Sequence, residues 1–395
     1  MTGERPLTVM LVAAEASGDE RGAGLARALR RRLGDQVRFV GVGGPRMAAE
    51  GIASPFDIAE LSVLGLVEGL TAYPRVVRRA DETAALAARE HPDVAVLIDS
   101  WGFTLRVGQR LKHQDPELPL IKYVGPQVWA SRPGRAKTLA RSFDHLLSIH
   151  AFDAAYFEVE GLPVTFVGNS ALALDFSDAD PDRLRAQIGA ASGDPILLVL
   201  PGSRPGEVSR VLPPFGEAAQ RLMADRPNLH VVIPAAATVA AQVKAQVAGW
   251  RHRAHVVEGE AAKLDAMKAA TVALACSGTV TTQLALAGVP MVVGYRLSPL
   301  THALLKLIVR TRYITLFNIA AGAEIAPELV QDDCNGPALA AEAARRLDDD
   351  TLRRAQVREQ FAALDRMGRG GPDPDDVAAD AVLRVVAERP PDSAG

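Results

Sequence analysis

The chain has only two cysteines among its 395 residues, Cys276 and Cys334. Two thiols cannot form the disulfide framework of a small secreted domain, and alone they are too few to hold a zinc ion. We therefore expect a protein of a reducing compartment.

Long apolar runs are also missing from the sequence. No uncharged apolar stretch reaches the roughly 20 residues that a membrane-spanning helix needs. The first residues, MTGERPLTVMLVAAEASGD, hold a short apolar run that leads directly into a Gly/Asp turn, which is not the order of a signal peptide. We expect a protein that is soluble or lies on a membrane surface.

A strong charge imbalance is absent as well. The net charge of −3 at pH 7 argues against bulk binding of nucleic acid. What the chain does have is length and apolar content. Its 395 residues exceed one ordinary domain, and 48% of them are hydrophobic, which suffices for two cores. Two domains are therefore predicted.

The first half alternates short apolar runs with helical patterns. Residues 7–14 and 38–42 predict strands on either side of a helix that ends near Leu33, an order typical of a parallel, doubly wound α/β sheet. Further strands are predicted at 94–98, 120–124, 146–149 and 164–167. The glycines of GVGGPRMAAEG have the wrong spacing for a dinucleotide fingerprint and follow the second strand, so a nicotinamide cofactor is disfavoured.

The second half repeats this alternation, with strands predicted at 196–200, 229–234, 254–257, 271–275 and 291–293. The predicted organisation is an N-terminal domain (1–174), a linker (175–188), a C-terminal domain (189–367) and a tail (368–395). The helical pattern of the tail is expected to pack on another domain or subunit. The Asp-Ala-Asp of DFSDADPD lies in the linker, where we interpret it as solvated, so no metal site is predicted.

The stretch 272–295, VALACSGTVTTQLALAGVPMVVGY, predicts strand, tight turn, helix, turn and strand. Ser277, Gly278 and Thr279 form a turn without large side chains, where a helix begins. Unpaired N–H groups at such a point can bind a phosphate or diphosphate. The alternative is an ordinary helix start of any α/β domain.

Other residues of the second half favour a nucleoside diphosphate. Arg204 directly follows a strand and could pair with phosphate oxygens. Asn318 and Gln331 lie in LFNIAAGAEIAPELVQDD, a segment that could contact a base, a sugar or a phosphate. Together these groups could stabilise a departing nucleoside diphosphate without a metal.

The first half offers a candidate general base. Asp99 follows the strand at 94–98, and ligands of open α/β sheets gather at the carboxyl ends of strands. It could instead only cap the next helix. A second turn follows the strand at 7–14 and contains Glu15, Ser17, Gly18 and Asp19.

Two further segments have two interpretations each. Residues 63–77, followed by arginines, are either a helix facing the core or an apolar and basic patch that touches a membrane or lipid substrate. In GPQVWASRPGRAK, Trp129 and the basic residues around Arg132 either seat a phosphorylated ligand or begin a solvated helix.

Seven stretches in order carry a resemblance to the lipid-A-disaccharide synthase family: AAEASGDERGAGL, GVGGPRMAAEGI, IDSWGFTLRV, YVGPQVWASRPGRAK, LLVLPGSRPGEV, SGTVTTQLALAGVPMVVGY and NIAAGAEIAPELVQDD. The resemblance implies a GT-B fold, with two Rossmann-like doubly wound domains facing a central cleft. It implies an inverting, metal-independent transferase that needs no cofactor. The protein would lie on the cytoplasmic face of the inner membrane as a peripheral protein, and it could form a homodimer. The implied reaction joins UDP-2,3-diacylglucosamine to the 6-hydroxyl of 2,3-diacylglucosamine 1-phosphate and releases UDP.

The resemblance also implies roles for individual residues. The catalytic pair is Asp99, as base for the acceptor hydroxyl, with Glu15. The donor-binding residues are Arg204, Ser277, Gly278, Thr279, Gln283, Asn318 and Gln331. The acceptor-binding residues are Ser17, Gly18, Asp19, Gln127 and Arg132.

The match has departures from the family pattern. Gln283 stands where a glutamate would accept hydrogen bonds from the ribose, so weaker donor binding is expected. Asn169 and Ser131 replace a histidine and a tryptophan, and we interpret them as lineage variation, with altered acyl or sugar specificity as the alternative. Two other functions stay open: a UDP-sugar epimerase on the same fold, and a non-catalytic binding protein.

Overall fold

Two parallel sheets organise the computed structural model, which describes residues 5–61, 66–298, 302, 309 and 311–388, with the side chains of 66–72 left undescribed. The chain divides into two units. One is Met1–Asn169 together with Gly371–Gly395, and the other is Ser170–Gly370.

The sheet of the first unit has the spatial order β2-β1-β3-β4-β5-β6, and all its pairings are parallel. Its strands are β1 (Leu7–Ala13), β2 (Val37–Val42), β3 (Val94–Ile98), β4 (Leu120–Tyr123), β5 (His145–Ser148) and β6 (Val164–Phe166). Every residue of β3 is buried, as expected of a central strand covered by helices on both faces. The six predicted strands of this half are confirmed.

Helices cover both faces of this sheet: α1 (Ala16–Leu33), α2 (Pro45–Ala49), α3 (Leu66–Glu90), α4 (Trp101–Gln114), α5 (Gly134–Ala140) and α6 (Ala154–Phe157). In α1, Leu25 and Leu29 lie on the buried side, four residues apart, while Arg30 to Arg32 close the last turn. Basic side chains there interact favourably with the negative end of the helix dipole.

The sheet of the second unit has the order β12-β11-β10-β7-β8-β9, again parallel throughout. Its strands are β7 (Ile196–Leu200), β8 (His230–Ala235), β9 (His255–Glu258), β10 (Val272–Ala275), β11 (Met291–Tyr295) and β12 (Glu328–Val330). The five predicted strands are present. The sequence analysis missed β12, because three half-buried residues give too short a pattern.

The helices of this unit are α7 (Pro181–Ile188), α8 (Pro205–Asp225), α9 (Ala240–Val247), α10 (Glu260–Ala269), α11 (Thr279–Leu286), α12 (Leu316–Ala321), α13 (Gly336–Asp348) and α14 (Asp350–Arg366). The strand, turn, helix, turn and strand predicted for 272–295 are confirmed as β10, α11 and β11.

The predicted linker, 175–188, belongs to the second unit and is not linker throughout. Its second half is α7, which Asp180 caps by accepting hydrogen bonds from the amides of Asp182 and Arg183 at 3.0 Å. Arg183 in turn donates to Asp265 of α10 at 2.7 Å. The unit begins at Ser170, five residues before the predicted linker.

The tail forms α15 (Pro374–Ala387), which packs against α1 of the first unit. Ala378 and Val382 of α15 are fully buried. At the edge of this contact, Asp376 accepts hydrogen bonds from Arg31 at 2.7 Å and from Arg32 at 2.8 Å. The last helix of the chain thus completes the unit that the first strand begins.

Within the described ranges, no helix is both long enough and apolar enough to span a membrane.

Candidate active site

Two carboxylates lie where neighbouring strands of the first sheet end. Glu15 follows β1 and precedes α1, and Asp99 follows β3. Loss of hydration, and after it the negative charge of Asp99, raise the pKa of Glu15, whereas a hydrogen bond from Ser100 and the charge of Lys122 lower it. A carboxyl group with a raised pKa beside a second carboxylate is a common arrangement for proton transfer.

Asp99 is held by donors from two directions. The hydroxyl of Ser17 donates to its Oδ2 at 3.3 Å, and Nη1 of Arg21 lies 3.6 Å from the same oxygen. The amide of Ser100 donates to Oδ1 at 3.0 Å. About a third of the side chain, 35%, is still exposed, so a substrate hydroxyl can reach the carboxylate.

The backbone after β3 has an unusual conformation. Asp99 has φ of 51° and Ser100 has φ of 38°, both in the left-handed region that residues other than glycine rarely adopt. Each such residue costs about 1–3 kcal/mol and persists only where the surrounding structure fixes it. The turn therefore depends on the hydrogen bonds that its carbonyl groups accept.

Those bonds come from Thr104 and Lys122. The Thr104 hydroxyl donates to the carbonyl oxygens of Asp99 at 2.7 Å and Ser100 at 3.0 Å. The ammonium of Lys122, from β4, donates to the Asp99 carbonyl and, at 2.7 Å, to the Thr104 hydroxyl. Lys122 is 1% exposed, and this burial lowers its pKa to about 7 against the opposing charges of Asp99 and Glu15. The sequence analysis missed this residue.

Asp19, predicted to contact the acceptor, is buried instead. Its Oδ1 accepts from the amides of Gly44 at 2.8 Å and Met47 at 2.9 Å, and its Oδ2 from Arg46 at 2.9 Å. The carboxylate therefore caps the N-terminus of α2 and is not available to a ligand.

The segment between β4 and α5 presents part of what was predicted. Gln127 and Arg132 are both exposed, and Arg132 has φ of 51°. Trp129 is buried, however, and its indole N–H donates to Asp153 at 3.0 Å. It cannot stack on a ligand in this conformation, because its ring packs against Phe152 and His150.

A cavity of about 620 Å³ opens where β7, β8, β9 and β10 end in the second unit. This volume suits a nucleotide-sized ligand. Five of the predicted donor-binding residues line it: Arg204, Ser277, Gly278, Thr279 and Gln283.

Three helices begin at this cavity: α8, α10 and α11. None of the three has a side chain that caps its first turn. Gly259 (φ 90°) and Gly278 (φ 151°) precede α10 and α11 in conformations that favour glycine, although each position has room for a Cβ atom. Uncapped amides and the positive ends of helix dipoles therefore converge on one space, which favours an anionic ligand.

Charged side chains surround the same space. The Arg204 side chain is 81% exposed and makes one contact at 3.3 Å with Glu207, which leaves most of its donors free for a ligand. The Nζ atom of Lys263 lies 2.9 Å from Oε1 of Glu260. Burial raises the pKa of the Cys276 thiol to about 12, so this cavity residue stays a neutral, apolar surface.

Asn318, predicted to bind UDP, is completely buried. Its Nδ2 donates to the carbonyl of Ala326 and to Glu328, both at 2.9 Å. Its Oδ1 accepts from the amides of Ile325 at 2.9 Å and Ala326 at 3.2 Å. The side chain organises the loop that leads into β12, and its contact with UDP stays a prediction.

Gln331 also makes hydrogen bonds within the protein. Its Oε1 accepts from the amide of Leu297 at 2.9 Å, and its carbonyl accepts from Arg296 at 3.2 Å. It lies beyond the residues that line the cavity.

The sequence analysis missed the far end of the cavity, which is formed by Pro234 to Ala237, Glu258 to Glu260 and Lys263. The available signal was their position directly after β8 and β9, where parallel sheets bind ligands. Glu207 was missed as well, although it lies one turn beyond Arg204.

The segment predicted as an apolar and basic patch is partly outside the described residues, since 62–65 and the side chains of 66–72 are not described. In the described part, Tyr73 is 53% exposed and Arg75 and Arg78 are exposed. Arg79 instead donates to Glu60 at 2.7 Å and stacks on Phe56, with 4.6 Å to the ring centre.

Across the part of the chain with described side chains, no group of three or more His, Cys, Asp or Glu residues is placed to hold a metal ion.

A family model described as Lipid-A-disaccharide synthetase matches residues 9–370. The lipid-A-disaccharide synthase of Rhodospirillum centenum is 42% identical over 385 residues, which cover 98% of this chain and 96% of the relative.

The chain belongs to the lipid-A-disaccharide synthetase family.

Solved structures agree with this assignment at the level of fold. A UDP-GlcNAc 2-epimerase from Neisseria meningitidis bound to UDP-GlcNAc superposes with a TM-score of 0.61 at 12% identity, covering 96% of this chain and 100% of that one. MurG from Acinetobacter baumannii gives 0.58 at 14% identity, with coverage of 96% and 100%. The predicted fold of two Rossmann-like domains is confirmed. Among the functions that the fold alone leaves open, the family supports the synthase.

Proposed function

We propose that this member of the synthetase family joins UDP-2,3-diacylglucosamine to 2,3-diacylglucosamine 1-phosphate. The product is the β-1,6-linked disaccharide 1-phosphate, with UDP released. The observation that carries the proposal is the 620 Å³ cavity of the second unit, on which three uncapped helix N-termini and Arg204 converge. Such a site stabilises a departing diphosphate without proton transfer to it.

On the acceptor side, Asp99 takes the proton of the 6-hydroxyl as its oxygen attacks the anomeric carbon of the donor sugar. Attack from the face opposite to UDP inverts the configuration at that carbon. Ser17 and Arg21 orient the carboxylate, as their contacts with Oδ2 support. Gln127 and Arg132, both exposed, are assigned to the acceptor. Gly18 serves packing, because a Cβ there would lie 3.2 Å from that of Ala13.

On the donor side, the bond from the anomeric carbon to the diphosphate oxygen breaks, and negative charge develops on UDP. Arg204 and the first turn of α11 at Thr279 stabilise that charge, and no metal ion takes part. Ser277 and Gly278 shape the turn, with the Ser277 hydroxyl donating to the carbonyl of Ile314 at 3.1 Å. Gln283 is assigned to the ribose hydroxyls.

Both substrates carry acyl chains, so we place the protein on the cytoplasmic surface of the inner membrane. The support is the exposed group of Tyr73, Arg75 and Arg78 on α3. Aromatic and basic side chains together suit an anionic lipid surface. Sedimentation with anionic vesicles tests this, and Arg75→Glu combined with Arg78→Glu should abolish it. The homodimer expected from the sequence stays a prediction that light scattering tests.

The deciding experiment incubates the purified protein with both sugar substrates and identifies products by mass spectrometry. A tetraacyl disaccharide 1-phosphate that requires both substrates is the expected result. Isomerisation of the UDP-sugar without the acceptor would establish an epimerase instead. Binding of UDP without any product would establish a binding protein.

A further inference from the structure

Lys122 is a buried cation in the middle of the first sheet, directly behind the turn that presents Asp99. Its side chain is 1% exposed, and it lies in β4, which pairs with β3. Within the described residues, its ammonium donates to a carbonyl and a hydroxyl rather than to a carboxylate. Burial of a charge is unfavourable unless hydrogen bonds or nearby charges compensate for it. The position of this lysine therefore calls for an explanation.

The hydrogen bonds of Lys122 converge on one peptide group. Its ammonium donates to the Asp99 carbonyl and to the Thr104 hydroxyl at 2.7 Å, and Thr104 donates to the same carbonyl at 2.7 Å. The Lys122 ammonium, the Thr104 hydroxyl and the Asp99 carbonyl thus form a closed triangle of hydrogen bonds. Because Asp99 and Ser100 both have positive φ, the turn needs such fixation, and without it the backbone would relax toward the ordinary helical or extended regions.

The charge of Lys122 acts on the carboxylates in front of it. Asp99 and Glu15 are the charged groups that it faces, Asp99 from the end of β3 and Glu15 from the end of β1. The ammonium favours the ionised form of Glu15, while Asp99 disfavours it. On the other side, Arg21 of α1 reaches Asp99 at 3.6 Å. The carboxylates of Asp99 and Glu15 thus have the Lys122 ammonium on the side of β4, and Asp99 has the Arg21 guanidinium on the side of α1.

We propose that Lys122 is a positioning residue for the transfer reaction. Its ammonium fixes the left-handed turn that aims Asp99 at the acceptor, and its positive charge lies behind the two carboxylates of Asp99 and Glu15. This inference rests on the proposed function of Asp99 as the base. It assigns to β4 a role that goes beyond packing.

Three variants separate the two roles. Lys122→Met removes both the donor and the charge, and Lys122→Gln removes the charge while keeping a donor. Thr104→Val removes the hydroxyl that completes the triangle but leaves the ammonium. Lys112→Met is the matched control, because Lys112 lies on α4 and pairs with Asp144 at 2.8 Å, away from the turn.

We expect Lys122→Met to lower kcat about 100-fold, the scale of a small misplacement of a catalytic group. The UDP affinity should stay unchanged, because UDP binds in the other unit. The acid limb of kcat/KM should move to higher pH in Lys122→Gln, since loss of the positive charge of Lys122 raises the pKa of Glu15. Thr104→Val should lower kcat without moving that limb, and Lys112→Met should change neither quantity.

A readout without substrates keeps the test independent of the proposed function. The Glu15 carboxyl, followed by carbon NMR in the full-length protein, should titrate at higher pH in Lys122→Gln than in wild type. An unchanged Glu15 titration and a normal kcat in both Lys122 variants would overturn the inference. If wild type forms no disaccharide, the proposed function fails, while the Glu15 titration still decides the electrostatic part. If neither Lys122 variant folds, a normal kcat in Thr104→Val overturns the fixation of the turn.

Discussion

The hydroxyl of Ser17 donates to the Asp99 carboxylate at 3.3 Å across 82 residues of sequence. This bond joins the first turn of α1 to the end of β3. It belongs to a set of contacts in which Arg21 approaches the same carboxylate oxygen at 3.6 Å and the Ser100 amide donates to the other at 3.0 Å. The Asp99 side chain is thus oriented before any substrate binds, which reduces the entropy lost in the reaction.

Replacing Asp99 by Asn should lower kcat by about 10²–10⁴-fold, the usual contribution of a general base. Asparagine keeps the size of the side chain and an oxygen that accepts from Ser17, but it cannot take a proton. Disaccharide formation measures the loss, and calorimetry should give an unchanged UDP affinity. Asp81→Asn is the control, since Asp81 is an exposed partner of Arg110. Near-normal turnover in Asp99→Asn would refute its assignment as the base.

Replacing Arg204 by Ala should weaken UDP binding by about 1.5–3 kcal/mol, the range for hydrogen bonds to charged groups. The side chain is 81% exposed at the cavity, so its removal leaves the fold intact. Arg221→Ala, on the helix that Arg204 precedes, is the matched control, because Arg221 pairs with Glu217 far along α8. Calorimetry with UDP and with uridine separates the phosphate role, since uridine affinity should not change. An equal loss for both ligands would contradict it.

Gln283 lines the cavity and is assigned to the ribose. Gln283→Ala should then weaken UDP by about 1 kcal/mol, the typical net value of one neutral hydrogen bond. It should leave the affinity for 2′,3′-dideoxy-UDP unchanged, because that nucleotide lacks both hydroxyls. Equal weakening of the two nucleotides would instead place Gln283 near the diphosphate or the base.

Asn318→Ala should act mainly on stability. The substitution leaves the buried amide of Ala326 without its acceptor, at about 1–3 kcal/mol. It also removes one of the two acceptors of the Ile325 amide and one of the donors to Glu328. Urea unfolding should show a larger loss than for Asn335→Ala, where a helix cap worth about 1 kcal/mol is removed. Unchanged stability combined with lost UDP binding would instead support the predicted contact of Asn318 with UDP.

Asp375 at the start of α15 should make stability pH-dependent. Burial, and then the charge of Asp373, raise the pKa of Asp375 to about 6. Since this value lies above that of the unfolded chain, the stability that Asp375 contributes is present at low pH and is lost as the pH rises through 6. Asp375→Asn should therefore raise the melting temperature at pH 8 and leave it unchanged near pH 3.

Asp380 provides a control of opposite sign on the same helix. The hydrogen bond from Arg32 holds its pKa below the usual range, so its stabilising contribution is present at neutral pH and is lost as the pH falls through that lowered pKa. Asp380→Asn should lower the melting temperature at pH 8. If both variants shift the melting temperature in the same direction, burial of Asp375 does not govern the pH dependence.

The sequence was sufficient for the alternation of strands and helices and for the turn at Ser277 to Thr279. Apolar runs and small residues are local patterns, and they persist in any parallel sheet. The structural roles of Asp19 and Asn318 could not be predicted from the sequence. A polar residue in a turn gives the same local pattern whether it faces a ligand or caps a neighbouring segment. Tertiary partners far along the chain decide between these outcomes. Lys122 did leave a signal, since a lysine within a buried parallel strand is rare.

The return of α15 to the first unit has a consequence for the order of synthesis. A ribosome releases residues 1–169 long before the helix that covers α1, and 201 residues of the second unit come between them. Domains generally fold as they emerge, N-terminal first. Until α15 is made, the face of α1 that α15 covers stays exposed, so the unit that is synthesised first is completed last.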